Sequence, residues 1–240
     1  MGAPISFGGH DLGELCSAEV VSRATPCVSP TGAEVPGRAG LALVAGHVEP
    51  TAVTVRLTLD MGYDPGAAGL AEARARLRAW LALPEGGELV LPGEPGLTWR
   101  DAVVTGCGEW SDASEHASCE VEFTLLDPVA YGRAREEAGT EFSVGGTWPT
   151  WPVFTLVAEE GDALCVADAA SGACILVEHA FSGGEAVEID CESEAVTVDG
   201  EDAEAEVALG SDFFSLAPGD VILSTSGAAS CTTAFTERWL

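Results

Sequence analysis

From residue 153 to residue 236 the chain is a succession of short segments in which apolar and polar side chains alternate. They fall at 153–158, 163–168, 173–179, 186–191, 195–198, 203–209, 221–226 and 231–236. Gly, Asp or Ser separates most of them, as at Asp199-Gly200. A period of two puts one set of side chains on each face of a strand, and strands this short bury enough surface only by stacking sheet on sheet. The second half is therefore expected to be a β-sandwich or jelly roll.

The first half carries the same rhythm with one interruption. Segment 51–61 (TAVTVRLTLDM) places Val53, Val55, Leu57 and Leu59 on one face and Thr54, Arg56, Thr58 and Asp60 on the other. Further strands are expected at 4–9, 88–91, 97–107 and 119–126, and an apolar run at 20–28 is broken by Pro26. VPGRAG at 35–40, with Arg38 in it, must reverse the chain. Over 69–83 the period changes to that of a helix: Leu70, Ala73, Leu77, Trp80 and Leu81 form one stripe, flanked by Arg74, Arg76 and Arg78. Glu72 and Arg76 are spaced for i,i+4 support, and Pro84 stops the helix.

Charge divides the chain. The 240 residues carry a formal net charge of -29, every basic residue is arginine, and Lys, Asn and Gln are absent. Residues 1–134 hold 18 acids and 8 arginines, whereas 135–240 hold 21 acids and 2 arginines. That shift supports two domains, 1–134 and 135–240, with 133–139 (RAREEAG) as a charged connector. A field of this sign repels polyanions and disfavours tight nucleic-acid binding. MGAPISFGGHDLGEL has neither a basic start nor an apolar run, so no signal peptide is expected, and no apolar stretch is long enough to span a bilayer.

No residues stand out as catalytic. The G-x-S-x-G, S-x-x-K, H-E-x-x-H and phosphate-loop patterns are all missing. Eight cysteines are spread without a C-x-x-C pair and read as free, mostly buried thiols. Cys107, His116 and Cys119 offer three zinc donors but no fourth, so no metal site is expected. Ten carboxylates in 185–206 lack a calcium-loop spacing and read as the wet face of strands. Arg74, Arg76 and Arg78 are either a contact for an acidic partner or solubilising surface, the latter favoured. Trp148 and Trp151, each followed by proline, could form a sugar platform or an interface anchor; packing at the domain junction is the preferred reading.

The order of these pieces resembles the phage distal tail protein (Dit) family of siphovirus tail components. ISFGGHDLGEL is similar to the family's first strand and turn, VPGRAG to its Pro-Gly-Arg-x-Gly turn, and TVRLTL followed by RLRAWLAL to its strand and helix. LLDPVAYG resembles its Asp-Pro-x-x-Tyr-Gly domain ending, and GTWPTWPVFTL the strand that opens the second domain. LAPGDVILSTSG with TTAFTERWL resembles its closing hairpin, although Val221 stands near a place where the family often has Asn.

The resemblance implies a mainly β chain: an N-terminal split-barrel-like domain with one α-helix and a C-terminal galectin-like β-sandwich. It implies a non-enzymatic part of a phage or prophage tail tip, assembled in the host cytoplasm, without cofactor and without membrane insertion. Six copies would form a ring between the tail tube protein and the tail-associated fibre or lysin protein, with DNA passing through unbound. The interface candidates are then Arg38, Arg74, Arg78, Trp148 and Trp151. Galectin sugar sites use an Asn that this chain lacks, so the alternative of a module binding cell-wall glycan would need a different site.

Overall fold

A computed structural model describes residues 5–59, 66–112 and 117–240, and the chain separates into two compact units, one ending at Ala130 and the other spanning Tyr131–Trp239. The first contains β1 (Ser6–Phe7), β2 (His10–Asp11), β3 (Cys16–Arg23), β4 (Val28–Glu34), β5 (Leu41–Val48), β6 (Thr51–Leu59), α1 (Gly66–Leu81), β7 (Gly87–Val90), β8 (Trp99–Cys107), β9 (Ser111–Asp112) and β10 (Ala117–Leu125). Its main sheet has the order β2-β1-β7-β8-β10-β6-β3, with β9 added beside β10.

The alternation of β6 decides the faces of that sheet. Val53, Val55, Leu57 and Leu59 are fully buried, each burial being worth about 1.5–3 kcal/mol. On the opposite face Arg56 lies between Glu19 of β3 (3.6 Å) and Glu120 of β10 (2.7 Å), the residues in register with it on either side. α1 contributes Ala73, Leu77 and Leu81 to the same core, with Leu70 and Trp80 partly buried against it, as the expected stripe requires. Phe7 meets Phe123 edge-on at 5.2 Å, and Trp99 is fully buried beneath the Arg23 guanidinium. The helix begins three residues before the expected start at 69 and ends two before 83, because the chain turns into Pro84 and a Leu83–Gly86 hydrogen bond. Asp60 and Met61 lie outside the described residues.

The second unit contains β11 (Ala130–Ala138), β12 (Glu141–Val144), β13 (Val153–Ala158), β14 (Leu164–Asp168), β15 (Cys174–Val177), β16 (Ala186–Asp190), β17 (Ala195–Val198), β18 (Glu201–Asp202), β19 (Gly219–Ser226) and β20 (Ala228–Trp239). They form two sheets, β11-β20-β13-β16-β17-β18 and β12-β19-β14-β15. Both feed one core: Phe154, Leu156, Val187 and Ile189 from the first sheet meet Leu164, Val166, Ile175, Val177 and Leu223 from the second. This is the expected β-sandwich, with β20 in the interior of the larger sheet.

Two expectations fail here. The charged connector at 133–139 is the greater part of β11, an edge strand paired with β20; the strand runs unbroken through Ala134 and Arg135. Edge strands carry charge because charge discourages further pairing, and here Arg135 also reaches Glu237 at 3.1 Å. Segment 203–209 is not a strand. Asp202 accepts a hydrogen bond from the Glu204 N–H, and a 3-10 turn follows at Glu204–Glu206.

Candidate functional site: an uncovered hairpin and a stapled segment

β4 and β5 form a two-stranded sheet of their own. Their register runs from Val28–Val48 to Glu34–Leu41 with a bulge at Thr31–Gly32, and the VPGRAG turn closes it. The Arg38 N–H donates to the Val35 carbonyl, and Gly37 supplies a φ of 81°. Main-chain bonds from Glu49 to Cys27 and from Ala24 to Ala52 fix the base. What the hairpin lacks is cover: Val28 is 66 % exposed, Leu41 60 %, Leu43 74 % and Val44 67 %. A lone two-stranded ribbon is marginal in water, and apolar side chains gathered on one mark a surface built for contact. Arg38 sits exposed at its tip.

The arginines of α1 do not act together. Arg74 stacks over Trp110 at 5.0 Å and Arg76 over Trp80 at 5.2 Å, with His10 against the Trp80 ring at 4.9 Å. Arg78 instead borders an apolar cavity of about 390 Å³ that Leu77, Leu81, Trp110 and Val121 help to line.

The segment around Trp148 and Trp151 is fastened to the last strand of its own unit. The Thr147 and Trp148 N–H groups both donate to the Arg238 carbonyl, at 2.9 and 3.1 Å. Thr150 exchanges main-chain bonds with Leu216 and donates its buried hydroxyl to the Thr236 carbonyl at 2.6 Å. Gly146 has a φ of 100°, and a Cβ there would strike the Arg238 carbonyl. Arg238 in turn stacks on Tyr131 at 4.9 Å, donates to its hydroxyl at 2.8 Å and pairs with Glu192 at 3.1 Å. Trp148 is half-buried and Trp151 is 37 % exposed.

Ionisable groups are committed to structure. Burial pushes the Cys16 and Cys191 thiols up to about 12 and Cys119 to about 11, which suppresses the thiolate a nucleophile needs. In 185–206, Asp190 accepts from the Glu192 N–H and Asp199 from the Ala186 N–H. Glu206 binds His179 at 2.7 Å. Among the described residues no three His, Cys, Asp or Glu side chains gather as metal ligands; His116 lies outside them.

Residues 145–239, from the paired glycines to the end of β20, match the family described as "Siphovirus-type tail component, C-terminal domain". The second unit is a siphovirus-type tail component domain. Over its whole length the chain has the fold of the SPP1 Dit protein, described as a paradigm of the hub adsorption apparatus in phages infecting Gram-positive bacteria: TM-score 0.79, 17 % identity, 100 % of both chains covered. Two phage P2 baseplate structures in the activated conformation also align. The one with Ca has a TM-score of 0.42 and 6 % identity over 99 % of this chain and 98 % of the other. The one with Sr has 0.41 and 7 % over 98 % and 97 %. No curated protein sequence matches. The resemblance carried by the motifs, to the distal tail proteins, is borne out, and with it a structural role in a phage tail. GTWPTWP at 146–152 supplies the staple to β20 through the Thr147 and Trp148 N–H groups and the Thr150 hydroxyl.

Sequence reading found the VPGRAG turn but not the apolar surface of the arms it joins. A signal was present in LALV at 41–44, three large apolar residues within four beside a reversal.

Proposed function

We propose that this chain is a distal tail protein: a non-enzymatic piece of a phage or prophage tail tip that closes with copies of itself into a ring. Its place is between the tail tube protein and the fibre or lysin protein, with assembly in the host cytoplasm and DNA leaving through the ring. The observation that carries the reading is the β4–β5 hairpin, whose Leu41, Leu43 and Val44 face water on a fold shared with SPP1 Dit. An apolar arm that fits a different patch on the next copy makes a head-to-tail contact, and such contacts close into rings when the rotation allows. Six copies is the number the family resemblance implies. Among the described residues no helix is long and apolar enough to cross a membrane.

Native mass spectrometry of the full chain across a wide concentration range, alone and mixed with tail tube protein, tests this. A ring mass supports it, and a strictly monomeric mass under every condition overturns it.

Trp148 and Trp151 we keep as candidate interface residues; their segment is fastened within its own unit, to β20. The glycan reading keeps one observation, the exposure of Trp151. Silence of the full chain on a cell-wall glycan array dismisses it.

A further inference from the structure

The first unit holds two apolar features of opposite shape. One is the arm β4–β5. Its register steps from Thr31–Ala45 to Gly32–Leu43, so Val44 is the extra residue of a bulge. Bulges re-aim the side chains around them. Leu41 lies across the same glycine: a Cβ on Gly32 would meet the Leu41 Cβ at 2.8 Å. Leu41, Leu43 and Val44 are thus gathered around Gly32, each at least 60 % exposed.

The other feature is the open cavity of about 390 Å³ between α1 and the strands β8 and β10. Leu77, Leu81, Cys119 and Val121 of the core form its floor, and Cys107 and Trp110 stand at its side. An apolar cavity of about 150 Å³ admits benzene, so this one has room for roughly two aliphatic side chains. Neither Leu43 nor Val44 lines the cavity of its own chain.

Charge selects the occupant. A chain of net charge -29 repels its own copies over most of its surface. Segment 28–48 carries one acid and one arginine, and α1 carries one acid and three arginines. Arm and helix are therefore where a second acidic copy meets least repulsion. Arg74 and Arg76 are stacked on Trp110 and Trp80, whereas Arg78 and Glu109 are exposed at the cavity. On the arm, Glu34 is in register with Leu41, and Arg38 sits in the turn beyond it. The arm thus brings one charge of each sign to a rim that holds one of each.

We propose that Leu41, Leu43 and Val44 of one copy seat in this cavity on the next copy, with Glu34 set against Arg78 and Arg38 against Glu109. The docking rests on the ring reading above and names the patch that receives the arm. Arm and cavity are different surfaces, so each copy gives one contact and receives one, as a head-to-tail ring requires.

Cys107 is exposed at the cavity and reports the arrival of the arm. Leu43→Cys and, in parallel, Val44→Cys are made in the full chain together with Cys27→Ser, which removes the exposed thiol at the base of the hairpin. The proteins are brought to conditions in which the unmutated chain gives its ring mass, oxidised with copper phenanthroline and run on a denaturing gel without reductant. The expected result is a ladder extending beyond the dimer, with a peptide joining position 43 or 44 to Cys107, abolished by adding Cys107→Ser. Dimers alone, a ladder that survives Cys107→Ser, or no cross-link from either position each overturn the docking and leave the ring standing. An unmutated chain that stays monomeric under every condition overturns the ring and the docking together.

Discussion

The Thr150 hydroxyl donates to the Thr236 carbonyl across 86 positions of sequence, at 2.6 Å. It ties the segment before β13 to the strand that closes the domain, and Thr150 is 1 % exposed. Thr150→Val keeps the shape and leaves that carbonyl without its donor. Urea denaturation should show a loss of about 1–3 kcal/mol, which Thr150→Ser largely restores. Equal losses for the two variants would mean that packing, not the hydrogen bond, holds the segment.

Gly146 makes a sharper demand on the same staple. At φ 100°, with the Arg238 carbonyl where a side chain would begin, Gly146→Ala must shift β20 or the segment. The expected cost exceeds the ~1 kcal/mol that alanine can gain at a compatible glycine site, whereas Gly161→Ala, with open space and no positive φ, should be neutral to slightly stabilising. Comparable melting temperatures for the two variants would remove the argument.

The hairpin separates stability from assembly. Leu43→Asp alters a side chain that is 74 % exposed in the protomer, so its folding free energy should change by no more than about 0.5 kcal/mol. Sedimentation velocity should nevertheless show the ring replaced by smaller species. A variant that assembles normally would place the ring contact elsewhere.

Stability should be bounded at both ends of the pH scale. Burial raises the Asp168 carboxyl, but hydrogen bonds from the Ser171 hydroxyl and the Ser171 and Ala170 N–H groups outweigh it and hold it below the usual range. A depressed folded pKa stabilises above the unfolded value, near 3.8, and that contribution disappears as pH falls below it. The Cys191 thiol shifts the opposite way: its contribution is complete below 9.0 and lost as pH rises towards about 12. Denaturation midpoints should fall on both sides of a plateau. Asp168→Asn should flatten the acid limb and Cys191→Ala the alkaline limb; a variant that leaves its limb unchanged acquits that residue.

Legibility in the sequence followed burial. β13 and β17 were readable to the residue because each alternates between a core face and a wet face. The stripe of α1 was readable for the same reason. β11 was not, since as an edge strand in RAREEA it has charge on both faces and little to bury. The arms β4 and β5 were hidden by the opposite fault: their apolar residues face water in the protomer and obey no inside–outside rule. Alternation misled at 203–209, where acid and alanine alternate on a turn held by Asp202. Contacts between distant residues, such as Arg238 with Tyr131 and Glu192, leave no local pattern.

β20 is the last strand of the second unit in chain order, yet it lies between β11 and β13, the first and third. On the ribosome, those earlier strands emerge with the gap between them unfilled, so the larger sheet cannot close until residues 228–239 leave the exit tunnel. A nascent chain therefore completes this sheet only once β20 has emerged. Truncated products would be left with two open strand edges, on β11 and β13, where β20 belongs.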